Sequence, residues 1–148
     1  MAGGRALASA HAREICAAAA AVGTTVTIDA EDHTTTDAAL GILAELRRDH
    51  PATGAVLQAY LHRTLADCEL LAGDGSRVRL CKGAYAEPAE VAHQTREEVS
   101  AAYVACARTL LAGDGYPMLA THDPEMIAAV AELDRQAGRE PGSYEFQM

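Results

Sequence analysis

RVRLCKGAY, residues 77–85, is the segment on which the reading of this chain turns. It is short and largely apolar, it follows the turn-forming Gly73-Asp74-Gly75, and it feeds a long helical pattern, roughly Glu90–Ala112. That helix would turn Val99, Ala102, Tyr103, Cys106 and Leu110 inward. The segment is therefore a strand leading to a helix, yet it carries Arg79 and Lys82. Three residues apart on a strand, their side chains leave opposite faces. If Arg79 points inward, Lys82 starts outward unless the backbone turns at Gly83.

The same unit repeats in both directions. Downstream, Gly113-Asp114-Gly115 turns into PMLATH (Pro117–His122), a strand, and Asp123-Pro124-Glu125 starts a helix with an N-cap, a proline in the first turn and an acid. Met126, Val130 and Leu133 carry that helix inward, Gly138 and Pro141-Gly142 close it, and YEFQM (Tyr144–Met148) reads as a further strand. Upstream, GAVLQAY (Gly54–Tyr60) is a strand followed by a helix with Leu61, Leu65, Cys68 and Leu71 on one face. Before it, TVTIDA (Thr25–Ala30) reads as a strand, and Thr34–Thr36 offer capping hydroxyls to a helix lined by Ala39, Ile42, Leu43 and Leu46 that ends at His50-Pro51. The first helix places Leu7, Ile15, Ala18, Ala19 and Val22 on its expected inner face and stops at Gly23.

Helices alternating with near-continuous apolar strands predict an α/β fold with a parallel sheet, in one domain over 1–148. An open doubly wound sheet and part of a (β/α)8 TIM barrel both satisfy the pattern. No GxGxxG follows any strand, which disfavours the dinucleotide-binding form. A whole barrel takes about 250 residues and eight strands. Five strands in 148 residues match its density and not its total, so the expectation is a partial barrel of about five β/α units, with the first and last parts missing.

A net charge of −9, with no basic cluster longer than Arg47-Arg48, argues against nucleic acid or an anionic membrane as the main partner. The core must be aliphatic and Ala-rich, because aromatic residues make up 4% of a chain that is 49% hydrophobic. Cys16, Cys68, Cys81 and Cys106 form no CxxC pair, the N-terminus lacks a signal-peptide core, and no apolar run approaches the 18 residues needed for a transmembrane segment. These features predict a cytoplasmic protein with free thiols packed as small hydrophobes.

Polar residues gather at one end of every strand: Asp29 and Glu31, then Gln58, then Arg79 and Lys82, then Thr121 and His122, then Glu145 and Gln147. Strand C-terminal ends are where α/β folds build sites, and a buried polar group costs about 1–3 kcal/mol unless paired. Five consecutive strands so decorated predict a functional mouth. Residue by residue, Asp29 reads as a loop cap or a site acid, and Gln58 as a ligand or network residue. Arg79 needs an anionic partner, and Gly83 permits close approach of a bound group. His122 suits a phosphate or cofactor, whereas His11, His50, His62 and His93 read as solvated. Asp29, Glu31, Asp32 and His33 resemble a metal cluster in composition only, so no metal is expected.

DAED (Asp29–Asp32), VLQAYL (Val56–Leu61), RLCKGAY (Arg79–Tyr85), ATHD (Ala120–Asp123) and YEFQM (Tyr144–Met148) together resemble, in order and spacing, the proline dehydrogenase family. The resemblance implies a distorted barrel that binds FAD, oxidises L-proline to Δ1-pyrroline-5-carboxylate and passes electrons to a membrane quinone, the protein being cytoplasmic and peripheral to the inner membrane. It implies that Asp29 and Arg79 are catalytic, with Arg79 beside the flavin N5. It implies cofactor contacts from Ala30, Gln58, Cys81, Lys82, Gly83 and Ala84, and from Thr121, His122 and Gln147 on the later strands. Leu80, Ala84 and Tyr85 would shape the proline pocket. Asp123 departs from the family's usual Asn, and Ala86-Glu87 from the Trp-Asp of larger bifunctional relatives. The family's early-strand lysine and the two carboxylate-binding arginines of its last helix lie outside these residues, which leaves a non-catalytic remnant as one alternative. A Schiff-base aldolase using Lys82 is another.

Overall fold

The computed structural model describes residues 2–73 and 75–148. Helix and strand alternate: α1 (Ala2–Ala21), β1 (Thr27–Ile28), a 3-10 turn (His33–Thr35) leading into α2 (Thr36–Leu46), β2 (Gly54–Gln58), α3 (Thr64–Leu71), β3 (Arg77–Cys81), α4 (Arg96–Ala112), β4 (Tyr116–Ala120), α5 (Pro124–Ala137) and β5 (Glu145–Gln147). All five strands are parallel, in the order β1-β2-β3-β4-β5. That order bears out the expected partial barrel over the doubly wound alternative. A doubly wound sheet reverses direction at a switch point. Here each crossover steps to the next strand on the same side, and right-handed crossovers then place every helix on one face. This is the winding of a (β/α)8 barrel, five units of it.

Register divides the strand residues between two faces. Leu57, Val78, Leu80 and Leu119 turn toward the helices and pack with Tyr103, Cys106 and Leu110 of α4 and Met126, Val130 and Leu133 of α5. Each fully buried leucine contributes roughly 1.5–3 kcal/mol. The alternate residues face away from the helices. Val56 pairs with Arg79, Gln58 with Cys81, Arg79 with Met118, and Ala120 with Gln147, so these side chains share the concave face.

Local chemistry explains the ends of the elements. Thr95 and Glu98 form a reciprocal capping box that starts α4 at Arg96, later than the periodicity predicts. The residues expected to begin that helix are drawn into an antiparallel bridge instead: the His62 amide donates to the Val91 carbonyl and the His93 amide to the Tyr60 carbonyl. Asp123 caps α5 with Pro124 in its first turn, and Gly138 ends it in the left-handed conformation at φ 62. The expected Gly73-Asp74-Gly75 turn includes Asp74, which lies outside the described residues, while Gly75 has φ 71.

The predicted inner face of α1 is corrected, and that of α3 at one residue. Leu7 and Ile15 of α1 are each 58% exposed, and Val22, just past its end, is 78% exposed. α1 meets α2 and its following loop through another stripe, where Arg5 and Ser9 bond Glu45, Arg13 bonds Asp49 and Cys16 meets Thr53. In a helix this rich in alanine, the leucine and isoleucine spacing does not mark the packed face, which is the small-residue stripe Ser9, Ala12, Cys16 and Ala19. In α3, Leu65 is exposed while Thr64 and Asp67 are buried. Thr64 donates to the Gln58 carbonyl at 2.6 Å, and Asp67 receives two bonds from Arg63. Of the predicted face only Leu65 turns outward, while Leu61 and Cys68 are buried and Leu71 packs against the core.

Candidate active site on the concave face

Arg79 leaves β3 on the concave face, reaches past β4, and donates from Nε to the Gln147 Oε1 on β5 at 2.7 Å. Gln147 is held in turn, its Nε2 donating to the Glu145 Oε1 at 2.6 Å. The Tyr116 hydroxyl donates to the other Glu145 oxygen at 3.1 Å, and the Arg77 guanidinium lies 4.4 Å from the centre of the Tyr116 ring. One polar chain thus runs Arg77–Tyr116–Glu145–Gln147–Arg79 across three strands. It fixes the Arg79 guanidinium from one side. Among the described residues, its terminal nitrogens have no hydrogen-bond partner.

Gln58 is buried on β2 beside Cys81. Its carbonyl accepts from Thr64, and its side-chain amide has no partner among the described residues. Burial pushes the Cys81 thiol up, partly offset by Arg79, so Cys81 stays a neutral wall of the face. Asp29 follows β1, is exposed, and accepts its own loop's Ala30 amide at 3.0 Å. It lines a small cleft with Ala30, Glu31, Ala55 and Val56 at the β1–β2 end of the sheet. Gly83 has φ 109, and a Cβ there would lie 2.4 Å from the Tyr60 ring. Only glycine fits this approach. Ala84 and Tyr85, just beyond, are exposed.

Several expected residues lie elsewhere. Leu80 is fully buried in the helix-side cluster, one step out of phase with Arg79, so the sheet turns it away from the rim. The Lys82 ammonium sits against the starts of α4 and α5, donating to Asp123 Oδ2 at 2.8 Å and to Ser100 Oγ at 3.1 Å. Lys82 therefore meets the rim through its backbone alone. Thr121 is at the strand end, but its hydroxyl accepts the Asp123 amide at 3.1 Å. His122 is exposed beside it. Asp32 caps the 3-10 turn, with bonds from Thr34 that lower its pKa, while Glu31 meets Tyr85 and His33 meets Glu87. These acids turn to separate partners. Sequence reasoning missed Arg77, Tyr116 and Glu87. The first two share strand parity with recognised residues and were legible by register, whereas Glu87 gives no local signal because its partner is 54 residues away.

A parallel sheet wound in sequential order, with its polar side chains at the C-terminal ends of the strands, defines a β/α-barrel site. The proline dehydrogenase family matches residues 6–148, and the chain belongs to that family. It is 37% identical over 123 residues to proline dehydrogenase 2 of Bacillus subtilis (strain 168), which covers 83% of this chain and 41% of that protein. It is 35% identical over 142 residues to proline dehydrogenase of Deinococcus radiodurans, covering 93% of this chain and 45% of the other. Among solved structures, it is similar to proline utilization A from Bdellovibrio bacteriovorus inactivated by N-propargylglycine, with a TM-score of 0.88 at 25% identity, over 97% of this chain and 18% of that one. The chain spans less than half the length of these curated relatives.

Proposed function

We propose that this chain forms the flavin-facing wall of a proline dehydrogenase, and that the protein carrying it oxidises L-proline to Δ1-pyrroline-5-carboxylate, with FAD as hydride acceptor and a membrane quinone as the eventual electron acceptor. The supporting observation is the Arg79–Gln147 pair on one concave face with the Gln58 amide, which has no partner among the described residues. The fit to a flavin is chemical. Arg77 and Arg79 face one carboxylate there, Glu145, so the middle of the face is cationic in an acidic chain. A flat ring system that becomes anionic on reduction suits a fixed guanidinium, a free amide and a glycine-lined turn.

When bound, FAD would supply the two-electron acceptor. Everything else in this reading falls to side chains. Gln147 holds the Arg79 guanidinium at a set angle, and Arg79 stabilises negative charge arriving beside it without having to reorganise. Gln58 has a donor and an acceptor to orient a heterocycle edge. Asp29 closes the rim over the substrate, whose amine must be neutral for hydride to leave the adjacent carbon, so positioning dominates over acid–base work. The protein in this reading is cytoplasmic and meets the membrane at its surface. No helix among the described residues is long and apolar enough to cross a membrane.

The Lys82 ion pair with Asp123 weighs against the Schiff-base alternative, which needs a free amine on the open face. The deciding experiment is anaerobic addition of L-proline to the purified protein. Bleaching of a bound flavin's absorbance near its long-wavelength maximum supports the reading. A colourless protein that fails to take up FAD and is trapped by borohydride with a carbonyl substrate would overturn it.

A further inference from the structure

The loops after β1 and β3 grip one another through side chains that the proposed chemistry leaves unused. Glu87, whose side chain is 4% exposed, accepts the His33 amide at Oε1 at 2.8 Å and meets the His33 Nδ1 with Oε2. The Tyr60 hydroxyl, at the end of β2, donates to the same carboxylate at 3.4 Å. In the opposite sense, the Tyr85 hydroxyl of the later loop donates to Glu31 of the earlier one. Each loop therefore contributes one carboxylate to the other. A carboxylate as buried as Glu87 is costly unless paired, and among the described residues these partners come from the other loop and from the end of β2.

The anchored residues, Glu31 and His33, stand two and four positions after Asp29. With at most about 3.6 Å of chain per residue, the Asp29 turn has little freedom while both hold. On the other side, the anchors Tyr85 and Glu87 follow directly from Gly83 and Ala84. The two rim turns are thus fixed relative to each other, while the Arg79 strand beneath is fixed by the Gln147 chain.

We propose that Glu87 is a positioning residue: through His33, with Tyr85–Glu31 as a second tie, it locks the Asp29 turn against the Gly83–Tyr85 turn. Its consequence for proline oxidation rests on the function proposed above, but the latch itself does not. Hydrogen exchange measured by mass spectrometry on the full protein tests the latch directly. Glu87→Ala speeds exchange of amides in 30–36 and 84–92 by about tenfold or more and leaves β4 and α5 unchanged. Glu87→Gln, which still accepts the His33 amide, gives a smaller increase. In steady-state assays Glu87→Ala raises KM for proline by about tenfold with kcat within about twofold, because the rim is misplaced while the chemistry is intact. The double variant His33→Ala/Glu87→Ala is no worse than Glu87→Ala alone.

Unchanged local exchange in Glu87→Ala, additive effects in the double variant, or loosened loops with an unaltered KM would each overturn the assignment. Should Glu87→Ala not fold, His33→Ala, which keeps the main-chain bond to Glu87, is read by the same two measurements. A wild-type protein that does not oxidise proline defeats the functional reading, and the exchange result still decides the latch.

Discussion

Arg79 and Gln147, 68 residues apart, are joined by a 2.7 Å hydrogen bond that passes over the intervening strand. The bond is possible because β4 presents Ala120 in register with Gln147, leaving room for the guanidinium to cross. It places the Arg79 cation where two strands control its direction, and Glu145 and Tyr116 control Gln147 in turn.

Arg79→Ala is expected to lower the rate of flavin reduction by proline by about 100-fold or more, the usual loss when a preorganised charge-stabilising donor is removed. Gln147→Ala keeps the charge and loses its aim, so the loss should be smaller, about tenfold. Stopped-flow absorbance under anaerobic conditions gives both rates. Wild-type flavin reduction in Arg79→Ala would refute the role given to this residue.

Asp123 carries a pH signature. Its bond from Lys82, and then its cap bond from Glu125, hold the carboxyl below its ordinary 3.8. A depressed carboxyl stabilises the fold fully above its unfolded pKa, and this contribution fades as pH falls through the lower folded value. Acid unfolding should therefore steepen below about pH 4. Asp123→Asn keeps the N-cap and loses the charge, so its stability at neutral pH should fall and this part of the acid slope should vanish. Denaturant titrations between pH 2 and pH 7 measure both, and an unchanged slope counts against the pairing.

Tyr103 is fully buried, and its hydroxyl has no hydrogen-bond partner among the described residues. Burial pushes its ionisation upward. Tyr103→Phe removes an unsatisfied polar atom and keeps the ring, and it should stabilise the protein by about 1 kcal/mol. A raised urea midpoint at unchanged m-value is the expected result; a lowered midpoint would reveal a partner for the hydroxyl.

Gly83→Ala should be among the most damaging single-methyl changes. The residue has φ 109, and the added carbon would strike the Tyr60 ring. Backbone strain alone costs about 1–3 kcal/mol. The Tyr60 phenol, pushed up to about 12 by burial and by the Glu87 charge, reports the displacement. Ultraviolet titration should show that phenol ionising closer to its ordinary value of 10 in the variant.

The amino-acid sequence was sufficient for the element order, the parallel class and the polar strand ends. Strand and helix periodicity, the Asp123-Pro124 start and the glycine turns are local properties, readable within a few residues. RLCKGAY and its companion motifs marked the family on the same local footing. Even the opposite placement of Arg79 and Lys82 follows from strand alternation, and both bonds agree with it.

Other features required the assembled sheet. Strand count and motif resemblance already point to a barrel, and the sequential strand order that makes it one is seen only in the sheet. The packed face of α1 is its small-residue stripe through Ala12, Cys16 and Ala19 against α2 and its loop, and Leu80 left the rim because register turned it to the helices. Gln147 on Arg79 and Glu87 on His33 bring together groups separated by 68 and 54 residues. Secondary structure comes from neighbours along the chain, whereas a site comes from neighbours across it, and only the packed sheet supplies the second kind.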